Sequence, residues 1–202
     1  MTDYKALFFD LGNVLIMFDA HRALEKFSKI FSVPEDILWD ELFTSDIERS
    51  YTVGKISSEE FHESIQRKFK KLVAFQEFVH IWNDIFWTND EMEDLVKALS
   101  HSYDLYLISN TNELHFEYIK KNFTILNHFK QCFPSHQVGY RKPDAAIYQY
   151  VLKKTGLKPG EAIYTDDIPE FVKSAQSVGI PSVVFHSRNQ LTKELKQLGI
   201  RV

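Results

Sequence analysis

Ala6-Leu7-Phe8-Phe9-Asp10-Leu11-Gly12-Asn13 decides the fold: an unbroken apolar run meets an acid, and turn-forming residues follow at once. The run is short for a helix and reads as a buried strand whose carboxyl edge carries Asp10. The same unit recurs where Leu105-Tyr106-Leu107-Ile108 precedes Ser109-Asn110-Thr111-Asn112, and where Ala162-Ile163-Tyr164 precedes Asp166-Asp167. Ser182-Val183-Val184-Phe185 supplies a further strand after Gly179-Ile180-Pro181. Helical patterns over 91–100, 113–122, 144–155 and 170–178 separate these strands. Strands alternating with helices predict an α/β fold with a Rossmann-like parallel sheet, in which ligands gather beyond the carboxyl ends of the strands.

Between the first strand and the rest the alternation lapses. Residues 21–31, 34–43, 57–70 and 75–87 all carry helical periodicity with no strand between them, which predicts an all-helical cap inserted over 17–87 into a core of 1–16 and 88–202. The insert is rich in aromatic residues, among them Phe27, Phe31, Trp39, Phe61, Phe78, Trp82 and Trp87, at spacings that mostly suit the buried faces of a small bundle. Ser45 to Lys55, with Glu48, Arg49, Tyr51 and Gly54, is a candidate cap loop facing a substrate, a placement that rests on the type of insert alone.

Composition narrows the function. With 202 residues, 44% hydrophobic and 26% charged, the chain suits one well-buried domain with a modest insertion. A net charge of −4 provides no broad positive field for a phosphate backbone, so a nucleic-acid partner is not expected. The apolar stretch 6–18 is interrupted by Asp10 and Asn13 and is too short to span a bilayer, so no membrane role is expected either. Cys132 is the single cysteine, which fits a reducing, cytoplasmic setting.

Four segments carry the chemistry. Asp10, before Gly12 and Asn13, is more often a turn residue than a nucleophile when taken alone. Ser109 and Asn110 offer hydroxyl and amide donors suited to phosphate oxygens, and the same stretch suits the N-cap of a helix at Glu113. Arg141 and Lys142 put two cations ahead of Pro143, where solvated surface charges are the ordinary finding. Asp166 and Asp167 repel one another at the end of a buried strand, and a metal ion relieves that repulsion most simply. Hard oxygen donors without a cysteine or histidine pair point to Mg²⁺ rather than zinc.

In their order and placement these segments resemble the signature motifs of the haloacid dehalogenase-like superfamily, over essentially the whole chain. The wording Phe9-Asp10-Leu11-Gly12-Asn13-Val14, Ser109-Asn110-Thr111-Asn112 and Arg141-Lys142-Pro143 is most similar to the branch containing bacterial α-D-glucose-1-phosphate phosphatase and the N-terminal phosphatase domain of epoxide hydrolases. The resemblance implies a Mg²⁺-dependent phosphatase for a small phosphorylated metabolite such as a sugar phosphate. Asp10 would carry the phosphoryl group as an aspartyl-phosphate. Ser109 and the Asn110 amide would hold its oxygens, Lys142 would neutralise charge, and Arg141 would lie beside the substrate. The metal would be held by Asp10, the Gly12 carbonyl and Asp166, with Asp167 behind them or joined through water.

Two departures from the family pattern stand out. Gly12 occupies the position where related phosphatases usually carry an aspartate acid/base, and a backbone angle closed to aspartate is one reason for a glycine there. Asp19 and His21 are the replacements within reach in sequence. Phe171 stands where an asparagine usually steadies the fourth motif. These departures keep open a catalytically weakened binding or regulatory protein, while a 2-haloacid dehalogenase would need no metal and leaves the Asp166-Asp167 pair unexplained.

Overall fold

The computed structural model describes residues 4–202, so residues 1–3 of the expected core lie outside the described residues. Strand β1 (Ala6–Phe9) leads to β2 (Ile16–Phe18), the helices α1 (His21–Phe31), α2 (Glu35–Trp39), α3 (Asp46–Thr52), α4 (Ser58–Phe69) and α5 (Phe75–Asn83), and then β3 (Phe86–Thr88). There follow α6 (Asp90–Ser100), β4 (Asp104–Ser109), α7 (Glu113–Asn122), β5 (Gln131–Pro134), α8 (Ser135–Val138) and α9 (Ala145–Thr155). The chain closes with β6 (Ala162–Asp166), α10 (Pro169–Ser177), β7 (Ser182–Val184) and α11 (Arg188–Gln197).

Five strands form a parallel sheet in the order β5-β4-β1-β6-β7, the expected Rossmann-like core with an all-helical cap inserted after its first strand. Successive side chains of a strand point to opposite faces, and each face here meets its own core. Leu7, Phe9, Leu105, Leu107 and Ile163 pack on one side, while Ala6, Phe8, Tyr106, Ile108, Ala162 and Tyr164 pack on the other. Covered on both faces, the central β1 is continuously apolar, which is why it could be read from sequence.

Helices α1 to α5 enclose a separate apolar cluster that includes Phe27, Phe61, Phe78 and Trp82. The Phe27 and Phe78 ring centroids are 5.0 Å apart. Helix α4 begins in a reciprocal cap, with Ser57 Oγ accepting from the Glu60 N–H and the Glu60 carboxylate accepting from the Ser57 N–H. Most of the cap aromatics are core residues, as expected, but Trp39 and Trp87 keep 40% and 42% of their surface exposed.

Several elements differ from the expectation. The helix expected over 75–87 ends at Asn83, and Phe86–Thr88 instead pairs antiparallel with Ile16–Phe18, so a two-stranded ribbon joins cap to core. The helix expected over 34–43 passes at Asp40 into a wider π-helical turn that runs to Thr44. The expected cap loop at 45–55 is mostly helix α3, started by Ser45 capping the Glu48 N–H. Edge strand β5 escapes a periodicity reading because it is short and ends in Pro134, which an edge tolerates. No helix among the described residues is long and apolar enough to cross a membrane.

Candidate active site

The parallel register that sets Phe9 opposite Leu107 and Thr165 brings Asp10 level with the ends of β4 and β6. The Asp10 N–H donates to the Thr165 carbonyl at 2.9 Å, extending the ladder by one residue and fixing the acid at the sheet's carboxyl edge. Lys142 Nζ lies 2.7 Å from Asp10 Oδ1 and 2.6 Å from Asp166 Oδ2. All three side chains are buried. Burial pushes the Asp10 carboxyl up to about 7, against the opposing pull of Lys142 and with a further push from Asp166. Burial also works to strip Lys142 of its proton, but Asp10 and Asp166 together hold the ammonium above its ordinary value.

Lys142 is held in place from two directions. Its backbone N–H donates to Asn110 Oδ1 at 2.7 Å, and Asn110 Nδ2 donates to the Lys142 carbonyl at 2.8 Å, so the Asn110 side chain ties the lysine loop to the end of β4. The Phe171 ring covers the ammonium, its centroid 5.0 Å from Nζ, and the Tyr164 ring lies at 5.8 Å. The Phe171 ring therefore shields one side of the Lys142 ammonium.

Asp10, Asp166 and Asp167 each offer a carboxylate oxygen, all within 4.8 Å of one another. The carboxylates are not equivalent. Asp166 Oδ2 accepts from Lys142 and from the Tyr164 hydroxyl, and its Oδ1 accepts from the Ile168 N–H at 2.8 Å. The Asp167 carboxylate accepts from Asn13 Nδ2 at 3.3 Å, a longer contact than those that hold Asp166. Burial, with Asp166 adjacent, raises the Asp167 carboxyl above its ordinary value. An all-oxygen donor set whose carboxylates outnumber the nearby ammonium fits a hard divalent cation. Sequence reasoning overlooked Tyr164, although strand periodicity places it on the same face as Asp166.

Ser109 ends β4 buried beside this cluster, and its hydroxyl makes no hydrogen bond with the described residues. Arg141 turns towards the cap, with Nη1 donating to Glu48 Oε2 and to Thr52 Oγ1, each at 3.0 Å. Gly12 does not have a positive φ. Aspartate is therefore not barred there by backbone angle. A Cβ at Gly12 would instead stand 2.9 Å from Phe18 Cε1, because β2 lays that ring against the loop. Asp19 and His21 make their contacts outside the carboxylate cluster: Asp19 accepts from the His21 N–H at 2.9 Å, and the exposed His21 stacks on Trp39 and lies against Glu35.

Between the strand ends and the cap lies a cavity of about 160 Å³. The Asp10 loop contributes Leu11 and Gly12, β4 and its loop contribute 109–112, and α3 contributes Glu48, Tyr51 and Thr52. The segment expected to face a substrate does line the cavity, but as a helix.

A carboxylate trio with a buried lysine, at the carboxyl ends of a parallel sheet beneath a helical insert, defines a class of hydrolase. The family model described as haloacid dehalogenase-like hydrolase matches residues 4–179, and the chain belongs to that family. Among curated relatives it is 25% identical over 170 residues to a D-ribitol-5-phosphate phosphatase of Bacteroides thetaiotaomicron, covering 81% of this chain and 82% of that one. It is also 25% identical to a drimenol cyclase of Aspergillus calidoustus, covering 96% of this chain and 36% of the relative. Among solved structures, a haloacid dehalogenase family enzyme of Bacteroides thetaiotaomicron in complex with magnesium and inorganic phosphate superposes with a TM-score of 0.85 at 28% identity, covering 93% of this chain and 98% of that one.

Proposed function

We propose that this chain is a Mg²⁺-dependent phosphoric monoester hydrolase that acts on a small phosphorylated metabolite with Asp10 as nucleophile. The observation that carries the reading is the Asp10 carboxylate held 2.7 Å from a buried ammonium, within a trio of carboxylate oxygens. The relative named as a phosphatase and the neighbour crystallised with magnesium and phosphate support it.

In this reading an Asp10 oxygen bonds to phosphorus as the bond from phosphorus to the ester oxygen breaks, and the departing alkoxide takes a proton from solvent. Water then attacks phosphorus, releasing inorganic phosphate and restoring the Asp10 carboxylate. Lys142 offsets charge on Asp10 and on the phosphoryl oxygens, which the Ser109 hydroxyl and the Asn110 N–H bind. Asp10, Asp167 and the Gly12 carbonyl would hold the metal, with Asp166 fixed behind them by Lys142, Tyr164 and Ile168. Mg²⁺, when bound, supplies the positive charge that keeps these carboxylates ionised and offsets charge on the phosphoryl group. Arg141 acts at one remove, joining core to cap through Glu48. Residues 17–87 act as the cap over a core of 1–16 and 88–202, limiting the access of bulk water to the phosphoryl site.

The test is hydrolysis of p-nitrophenyl phosphate by the purified protein with and without Mg²⁺, alongside Asp10→Asn. Turnover that requires the ion and disappears in the variant is the expected result. Turnover by Asp10→Asn within tenfold of the wild type overturns the assignment of the nucleophile.

A further inference from the structure

The cavity between the Asp10 loop, the end of β4 and the cap is the space beside the nucleophile in which the organic half of the substrate fits, and its walls are largely apolar. Phe18, Leu42, Phe43, Trp82, Ile85 and Phe86 line it. Most of the polar side chains that also reach it direct hydrogen bonds into the fold. Glu48 accepts from Arg141, and the Tyr51 hydroxyl is shared between Ser58 Oγ at 2.9 Å and the Leu114 N–H at 3.3 Å. His115 Nε2 hydrogen-bonds the Trp82 carbonyl at 3.0 Å, and Asn112 Nδ2 approaches His115 Nδ1 at 3.1 Å. Thr52 Oγ1 accepts from Arg141, and both polar atoms of the Asn110 amide are taken by the Lys142 backbone.

Trp82 Nε1 is a buried donor in the lining with no partner among the described residues, Thr111 Oγ1 has a contact of 3.4 Å to the Asn112 carbonyl, and Ser109 lies at the phosphoryl end. A hydroxylated chain entering this space would exchange water for walls with few free hydrogen-bonding groups, and buried unpaired hydroxyls are costly. A hydrocarbon loses nothing by the same move and gains burial. Volume gives a scale as well, since an enclosed apolar cavity of roughly 150 Å³ holds one benzene ring. The volume of about 160 Å³ above Asp10 therefore suits one six-membered ring or a branched chain of similar bulk.

We infer that the substrate is the phosphate monoester of a small, unhydroxylated apolar alcohol, about one six-membered ring in bulk, and not a polyol or sugar phosphate. The inference rests on the phosphatase reading and narrows it. It departs from the sugar phosphate expected from sequence and from the substrate named for the Bacteroides relative.

Two primary alkyl esters of similar leaving-group basicity, 3-methylbutyl phosphate and D-ribitol 5-phosphate, separate wall chemistry from leaving-group chemistry. They are compared by kcat/KM with Mg²⁺, and p-nitrophenyl phosphate reports whether the enzyme is competent. The expected result is a preference of about 100-fold or more for the branched alkyl ester, reduced at least tenfold in Phe43→Asn, which adds hydrogen-bonding groups to the lining. Turnover of p-nitrophenyl phosphate with the polyol ester equal or preferred overturns the inference and leaves the phosphatase reading standing. No turnover of p-nitrophenyl phosphate overturns both.

Discussion

The Lys142 ammonium and the Asp10 carboxylate meet at 2.7 Å with both side chains buried, and each sets the charge state of the other. Lys142→Met removes the positive partner from a buried cluster of carboxylates. The expected loss is on the order of 10²–10³-fold in kcat, as for other preorganised electrostatic contacts. Without divalent cation, urea unfolding is expected to show a stability loss of about 3–5 kcal/mol, the usual result of orphaning buried charge. A methionine variant as stable and active as the wild type would mean that the pair contributes nothing.

Phe171 shields the same ammonium from one side, with its ring centroid 5.0 Å from Nζ. Phe171→Ala is expected to lower stability by about 1–2 kcal/mol through lost packing and cation–π contact, and to reduce kcat several-fold. Phe171→Tyr keeps the ring and should restore both. If tyrosine rescues no better than alanine, the ring is not what holds Lys142.

His115 provides the pH-dependent term. Burial pulls its imidazole down to about 3, so it stays neutral in the folded chain while the unfolded chain protonates near 6.5. Between those values the unfolded state binds more protons, so stability rises with pH and is lost as pH falls from about 6.5 towards 3. At one proton per molecule, moving from pH 7 to pH 5 is expected to cost about 2 kcal/mol from this residue. Urea unfolding at both pH values should show His115→Gln starting less stable but losing about that much less over the same interval. Equal losses in variant and wild type would clear His115 of the effect.

Gly12 and Phe18 are coupled by space. Since a Cβ at Gly12 would stand 2.9 Å from the ring, Gly12→Asp is expected to destabilise by about 1–3 kcal/mol as the ring is displaced. Combined with Phe18→Ala, the same change should cost clearly less. A double-mutant cycle by thermal or urea unfolding measures the coupling, and additive effects within about 0.5 kcal/mol would show that the ring does not compete for the site. With room made, the new carboxyl should speed esters of poorly acidic alcohols most, because these depend most on a proton donor.

Much of this was legible in sequence for a local reason. An apolar run ending in Asp10 declares a buried strand with an acid at its edge, and the repeat of that unit at 105–109 and 162–166 determines which residues share the sheet's carboxyl end. Strand pairing then brings together residues far apart in the chain, which is why Asp10, Ser109, Lys142, Asp166 and Asp167 could be named from short motifs.

Tertiary structure alone decided what surrounds that cluster. Arg141 reads like a substrate ligand, but Glu48, 93 residues away, claims its guanidinium once the cap closes on the core. Gly12 reads as a backbone requirement, yet it answers to the Phe18 ring, whose position depends on Phe18 pairing with Phe86 across the ribbon. The cavity is apolar because Tyr51, Asn112 and His115 spend their hydrogen bonds on partners within the fold. Local periodicity records which face of an element is buried, whereas the use of a polar group depends on which partner the packed chain brings within 3 Å.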